Sequence, residues 1–433
     1  MAVTTQPLFS HCLSSPNAAA FGGWPAVVIQ MGLSAISRSI WAADGAFAKF
    51  LVNRDVAPGS GNSVIYTFRN ITQSTSVAVT LSNAQVTNRD IGSTLAVTRG
   101  DLLQLEISVT GTPAAATTLE IVCEHTGTNA NETAYTIHHA PGNGGLGSGS
   151  IYYLPGPFVG TTFSTTTPPV SPNVLAISGN VTALCGNSSV AIAGGESWDF
   201  YLVYDGVLQD GAGGTVDTKC SVTGSLPATA TKTFTLPVVA GKTLTLKLDH
   251  TGTPATTRPG ASICIVSTNA NESQVSAHTT NGSSTTVLNY TQFINGTAGW
   301  GVTTEANVAQ PAPISTFTYD QFYLITEAAL GSPDTRTYDL RKNSTSPSGT
   351  PTIQITSAGL TGSDLTGAVA SADLDTLDLR GNPAGTSPFG SGGDHSWSFR
   401  VRLGDFATSG ITVSSCGVGM GASDAGYCSA FIG

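Results

Sequence analysis

The segment from Asp101 to Glu132, DLLQLEISVTGTPAAATTLEIVCEHTGTNANE, constrains this chain more than any other, because much of it is written a second time. Residues 242–272 read KTLTLKLDHTGTPATTRPGASICIVSTNANE. Thr110-Gly111-Thr112-Pro113-Ala114 returns as Thr251-Gly252-Thr253-Pro254-Ala255 and Cys123 returns as Cys264, each 141 positions on. Asn129-Ala130-Asn131-Glu132 returns as Asn269-Ala270-Asn271-Glu272 at 140. That distance is a domain length and far exceeds a solenoid repeat, so whole domains are duplicated. Inside each copy the apolar residues alternate, Leu103, Leu105, Ile107 and Val109 in one, Leu244, Leu246 and Leu248 in the other. Period two is the mark of a half-buried strand. The Gly-Thr-Pro that follows is read as a stop signal, since Gly permits a positive φ and Pro removes a ladder donor.

A length of 433 residues suggests roughly three domains of about 150 each. Around the duplicated segment, Phe47 to Val52, Val64 to Asn70, Ser76 to Leu81 and Thr94 to Val97 read as strands, and Leu119 to Cys123 closes the unit near Ala140. Residues 141–150, PGNGGLGSGS, read as a glycine-dense linker. The second unit, 151–281, repeats the order through Phe200-Tyr201-Leu202-Val203, Phe234-Thr235-Leu236 and Ser262 to Val266. A divergent third unit, 282–433, keeps the grammar. Phe322 to Ile325 stands for the aromatic strand, Arg336 to Asn343 for Ile65 to Asn70, and Ala372-Asp373-Leu374-Asp375 for the turn at Arg99-Gly100-Asp101. Gly385-Thr386-Ser387-Pro388 sits where Gly-Thr-Pro stood, and Trp397 to Val401 closes. Gly111 and Gly385 lie 274 apart, close to two periods. The expected fold is all-β, three tandem antiparallel β-sandwich domains of jelly-roll or immunoglobulin-like kind with about eight strands each.

Composition agrees. Thr, Val, Ile, Tyr and Phe suit pleated surfaces, and 50 glycines and 22 prolines supply turns, while helix formers are scarce. Charged residues are only 10% of the chain, which favours packing over disorder and suits dense protein–protein assembly. A net charge of −10 argues against nucleic acid and anionic membranes as partners. The most apolar run, Ala18 to Ile36, is broken by Gly22-Gly23, Pro25, Gln30 and Gly32, and reads as one or two strands with turns and not as a membrane span. The first Lys or Arg is Arg38 and no continuous apolar core precedes it, so no secretory signal is expected; the chain is read as made in a cytoplasm, or as a mature form whose leader was left off.

Residues able to carry chemistry are few and poorly spaced. Seven cysteines show no CxxC. Cys123 and Cys264 are read as equivalent buried thiols, and Cys185–Cys220 and Cys416–Cys428 as pairs able to close loops. His138 and His139, being adjacent, point to opposite faces of a strand, and His125 and His250 lack companions for a zinc site. Asp373, Asp375, Asp378 and Asn382 crowd oxygen ligands but lack a calcium-loop spacing and read as a polar strand start. Asp394-His395-Ser396 holds the residue types of a hydrolase triad, yet consecutive residues cannot form that relay and no GxSxG is present. Trp24, Trp41, Trp198, Trp300 and Trp397 are spread as one or two core anchors per domain, with an exposed sugar platform as the lesser alternative. No catalytic, metal or cofactor-binding residue is assigned from the sequence.

Phe68-Arg69-Asn70, Arg99-Gly100-Asp101, Leu103 to Val109 and Thr110 to Ala114, repeated in this order, resemble the β-sandwich modules of tailed-bacteriophage virion proteins, such as capsid decoration proteins and tail fibres. The resemblance spans all three units, and the third has lost the TGTPA wording. It implies a structural, non-enzymatic virion protein, homo-oligomeric, with other capsid or tail proteins or a host-surface glycan as partners, and it transfers no active-site residue. A subunit of an extracellular filament or adhesin, or a polysaccharide-binding protein, is the alternative. Function is expected where the copies differ: Ala18 to Ile36, Pro141 to Ser150, and Gly404 to Gly433.

Overall fold

A computed structural model describes residues 3–12, 18–24, 38–138, 147, 150–154, 172–257, 259–279, 288–293, 303, 305, 309–327, 335–356, 359–384 and 395–404. Among them lie 28 β-strands and no α-helix. The first sandwich uses β1 (Val3–Cys12), β2 (Ala20–Gly23), β3 (Ser39–Ile40), β4 (Gly45–Arg54), β5 (Gly59–Asn70), β6 (Thr75–Asn83), β7 (Thr87–Val97), β8 (Leu102–Thr110) and β9 (Leu119–Ala130). One sheet has the order β1-β9-β4-β7 and the other β2-β8-β5-β6, with the short β3 also on β8.

The second sandwich begins at β10 (Glu132–His138) and continues through β11 (Tyr152–Leu154), β12 (Asn173–Val174), β13 (Gly179–Ser188), β14 (Ser197–Tyr204), β15 (Val207–Leu208), β16 (Cys220–Val222), β17 (Ala228–Val238), β18 (Thr243–Thr251) and β19 (Gly260–Ser267). The third uses β20 (Glu272–Thr279), β21 (Asn289–Gln292), β22 (Gln310–Pro311), β23 (Phe317–Thr326), β24 (Thr335–Lys342), β25 (Thr352–Thr356), β26 (Thr361–Ser371), β27 (Thr376–Ala384) and β28 (His395–Leu403). Their first sheets run β10-β19-β13-β17 and β20-β28-β23-β26, the order of the first sandwich again. The second sheets centre on β18-β14 and β27-β24, and β12 and β22 sit as β3 does.

Two boundaries move. Ile137 and its neighbours, expected to finish the first unit, pair with Ala261 to Val266, so residues 132–138 open the second sandwich. Residues 272–279, expected in the second, pair with β28 and open the third. The repeated Asn-Ala-Asn-Glu is therefore the junction between sandwiches. Asn131 and Asn271 both have φ 60°, the left-handed turn that lets one strand end and the next begin at once. Of the expected linker at 141–150, only 147 and 150 lie within the described residues.

The cores form as the alternation predicts. Leu103, Leu105 and Ile107 face Trp24, Phe47, Phe50 and Phe68, all buried. Leu244, Leu246 and Leu248 surround Trp198 and Phe200, and Leu377 and Leu379 surround Phe322, Phe399 and Trp397. Four tryptophans are thus core anchors, and Trp300 lies outside the described residues. One register differs from the sequence alignment. Cys123 lies in the first sandwich's own core, whereas Cys264 faces outward onto the first sandwich. Thr128 N–H donates to Asp44 O and Thr268 N–H to Ser178 O, each at 3.0 Å, which aligns the strands at 140 and not 141. A slip of one residue turns every side chain of a strand to the other face, so Cys264 corresponds to Glu124.

The three sandwiches close on one another head to tail. β3 of the first packs against β10, β13 and β19 of the second, and β12 of the second against β20, β23 and β28 of the third. β22 of the third completes the circle on β9 of the first, where Gln310 Nε2 donates to Glu120 Oε2 at 2.9 Å. Near the centre the opening strands meet. Gln6 exchanges two hydrogen bonds with the Ala134 backbone, at 2.7 and 2.9 Å, and Gln274 N–H donates to Tyr135 Oη at 2.9 Å. Repeated heterologous contacts that close make a ring, here one of pseudo-threefold symmetry within a single chain.

Candidate functional site: seams and a buried carboxyl group

Each sandwich presents the same turn to the next. Asp101 N–H donates to Thr98 O at 3.0 Å, Lys242 N–H to Val239 O at 3.2 Å and Asp375 N–H to Ala372 O at 3.0 Å. The third residue has φ 91° at Gly100, 82° at Gly241 and 73° at Leu374. Asp101 also accepts from Thr98 N at 2.8 Å and Asn70 Nδ2 at 2.7 Å, and Asp375 from Ala372 N at 2.9 Å and Asn343 Nδ2 at 2.6 Å. The second turn replaces that pairing by the Lys242–Asp205 ion pair at 2.8 Å. These repeats place the third unit in line with the other two.

The seams are finished differently. Where the first sandwich meets the second, Arg99 pairs with the buried Glu132 carboxylate, which also accepts from Asn129 Nδ2 at 2.6 Å and Cys264 Sγ at 3.0 Å. Gly100 lies so close to the second sandwich that a Cβ would stand 3.4 Å from Thr231 Oγ1. Gly241 would stand 3.3 Å from Tyr323 of the third. At the second junction Glu272 takes Asn269 Nδ2 at 3.0 Å and Arg400 Nη1 at 2.7 Å, and Arg400 and Arg402 share Asp320. The third seam has Asp373 paired with Arg89 at the surface, and Lys49 with Glu124 and Ser315.

The most perturbed carboxyl group lies in the third sandwich. Asp378 occupies the register position of Gln104 in the first and Thr245 in the second, and it is fully buried. Burial first, and the charge of Glu305 second, push its carboxyl from 3.8 up to about 8. Asp378 is therefore a neutral acid at pH 7. Glu305 stays paired with Arg341 at 2.6 Å, and Arg380 holds Asp339 at 2.9 Å. A carboxyl group held neutral is what a general acid requires, but the 0% exposure of Asp378 denies a substrate access to it. The cluster locks β24 to β27.

Other candidates do not converge. Asp373 pairs with Arg89, Asp375 with Asn343 and Lys342, and Asp378 is buried, so the three share no cation site. Among the described residues no group of three His, Cys, Asp or Glu side chains could hold a metal. His125 is a core residue that accepts from Trp41 Nε1 at 3.3 Å, and burial lowers its pKa from 6.5 to about 3. His250 contacts Gly252 O, while His395 meets Tyr338 Oη at 3.0 Å and Ser396 meets His278 at 2.8 Å, which gives the apparent triad two unrelated roles. Asp394 and the side chains of His138 and His139 lie outside the described residues. Cys185 and Cys220 are free buried thiols and not a loop-closing pair, and burial pushes them up to about 11 and about 12. Cys416, Cys428 and 385–388 also lie outside the described residues.

The TGTPA loops are framework. Gly111 and Gly252 have φ 74° and 73°, Pro113 and Pro254 are buried, and Thr112 and Thr253 N–H donate to Asn62 Oδ1 and Glu196 Oε1. A cleft of about 250 Å³ lies between the first two sandwiches beside Arg38, Asn187 and Leu226, and a wider hollow of about 460 Å³ is lined by Ala193 to Ser197, Ser221 and Gly224 of the second; among the described residues each is lined by a single charged side chain, Arg38 and Glu196. Among the described residues no helix is long and apolar enough to cross a membrane. The chain matches no protein-family model and no curated protein sequence. The features the geometry builds most fully are thus three seams between sandwiches of one chain.

Proposed function

We propose that this chain is a non-enzymatic structural component of a virion, of the tailed-bacteriophage kind, attached to a capsid or tail by protein–protein contacts. The observation that carries the reading is the closed ring of three sandwiches with one strand order, which presents like frameworks at related positions. A chain with 10% charged residues and a net charge of −10 supports contact with protein in preference to polyanions. The buried Arg99–Glu132 pair holds the first sandwich to the second, while Arg400 with Glu272 and Asp320 ties strands within the third. The test is density-gradient purification of virions from cells that make the chain, followed by immunoblotting and gold labelling. Co-migration with particles, with gold on capsid or tail, is the expected result. Recovery only as free protein, or in filaments on the cell surface, overturns the reading.

A further inference from the structure

The seams insert matched residues, and the one between the first and second sandwiches lacks an acid that the closing seam has. Ser39, Asn173 and Gln310 pair with Leu103, Leu244 and Leu377, so they hold one register position, and all three are buried. On the receiving sandwiches Glu120, Gly260 and Ser396 hold another, opposite His11, His138 and His278 of the opening strands. Where the third sandwich meets the first, Gln310 Nε2 donates to Glu120 Oε2 at 2.9 Å. Where the first meets the second, both side chains are cut back, to Ser39 and Gly260. Asn187 stands over Gly260, its Oδ1 2.3 Å from where a Cβ would be, and the Arg38 carbonyl oxygen is 3.7 Å from the same point.

This seam has an arginine in exchange. Pro172 and Ala309 occupy the position of Arg38 in the other two seams, and neither brings a charge. Arg38 and Leu102 form one wall of the cleft of about 250 Å³, and Asn187, Ser188, Ser189, Leu226 and Pro227 form the other. Among the described residues no carboxylate pairs with the Arg38 guanidinium, and its Nε is buried without a hydrogen-bond partner. A guanidinium cannot shed its charge, and a buried donor left unmet costs stability. The neighbouring donors are already engaged. Ser188 Oγ donates to Val190 O at 2.8 Å, and Ser189 N–H to Thr257 Oγ1 at 3.1 Å. Leu226 and Pro227, both exposed, make the lip of the cleft apolar.

We propose that this cleft binds a carboxylate carried on a short apolar stem. Arg38 takes the carboxylate as a two-pronged donor, while Leu102, Leu226 and Pro227 take the stem. The ligand supplies from outside the acid that Glu120 supplies within the closing seam. Two sources share this chemistry: a free branched-chain acid, and the apolar last residue of a polypeptide. Because the cleft is made by two sandwiches, a ligand in it also stabilises the closed seam. A carboxylate site of this kind needs no virion, so the two readings fail separately.

The test is isothermal titration of the purified full-length chain at neutral pH with isovalerate, N-acetyl-leucine and their uncharged amides. Saturable binding of at least one acid is expected, with its amide at least tenfold weaker. A tenfold preference for N-acetyl-leucine identifies a polypeptide terminus as the source, and any other ratio a free acid. Arg38→Gln removes binding, and Arg38→Lys weakens it because a point charge replaces the fork. Leu226→Ser weakens it with the charge intact. Arg69→Gln, which breaks a surface pair with Glu106, leaves it unchanged. The bound acid raises the melting midpoint of wild type but not of Arg38→Gln, whose cooperative melting shows that it is folded. No binding to wild type, equal binding of acid and amide, or binding that survives Arg38→Gln overturns the proposal. Inorganic phosphate binding as tightly as the better acid overturns it too, since the stem then contributes nothing.

Discussion

The first and third sandwiches share strand order, turn and seam position, yet they resolve three matched positions in opposite ways. Where the first has Gly100 pressed against its neighbour, the third has Leu374 strained and open to solvent. The first has the neutral amide Gln104 inside its sheet, and the third has Asp378, neutral only because it keeps a proton. The seam of the first centres on the buried Glu132, and that of the third ends in a surface ion pair. A domain copied for framework alone gains nothing from a strained leucine, so the difference separates residues that hold the ring from residues that face outward.

The largest expected effect tests the carboxyl contrast. Asp378 in the folded state holds a proton that the unfolded chain releases near 3.8, so its burial makes stability fall as pH rises from about 4 to about 8. The slope for one such proton is at most about 1.4 kcal/mol per pH unit. Asp378→Asn is expected to be more stable than wild type at pH 8, with the gap closing toward pH 4, as urea titrations at several pH values can check. His125 runs the other way. Its pKa is lowered to about 3, so its contribution is complete above 6.5 and fades as pH falls toward 3. A gap between wild type and Asp378→Asn that does not change with pH sinks the assignment.

Next comes the contrast between buried and exposed seam charges. Glu132→Ala leaves Arg99, Asn129 and Cys264 without their shared acceptor and is expected to cost about 3 kcal/mol. Arg89→Ala removes a pair about one-third exposed at either end and is expected to cost under about 0.5 kcal/mol. Equal losses in denaturant midpoint would erase the distinction drawn between the two seams. The smaller effects have opposite signs at one turn position. Gly241→Ala is expected to destabilise by about 1–2 kcal/mol, since φ is 82° and the new Cβ meets Tyr323. Leu374→Gly is expected to stabilise by about 0.5–1 kcal/mol, the relief of strain less the entropy of the added glycine.

Period two was enough to locate Leu103 to Val109, Leu244 to Leu248 and Trp397 to Val401 on strands whose alternate apolar side chains enter the core, though Gln104, Thr245 and Ser398 on the opposite faces are buried as well. Turn chemistry likewise explained TGTPA as framework. What local pattern could not reveal was pairing across long sequence distances. β10 follows β9 after one residue and looks like its continuation, yet its partner is β19, more than 120 positions on. The parity of Cys264 was hidden because the slip occurs in a loop, where alternation carries no signal. Leu374 was legible in part, since it aligns with Gly100 and Gly241. Its left-handed backbone and exposure required coordinates, as did the burial that makes Asp378 a neutral acid.

The closed ring is tested most directly by small-angle X-ray scattering of the dilute full-length chain. A ring in which all three sandwiches touch behaves as one compact body, with a radius of gyration of about 22 Å for 433 residues. Three sandwiches joined in a line give about 33 Å. A value near the first, with a single-peaked distance distribution, is what the seams from Arg99–Glu132 round to Gln310–Glu120 require. A value near the second contradicts them.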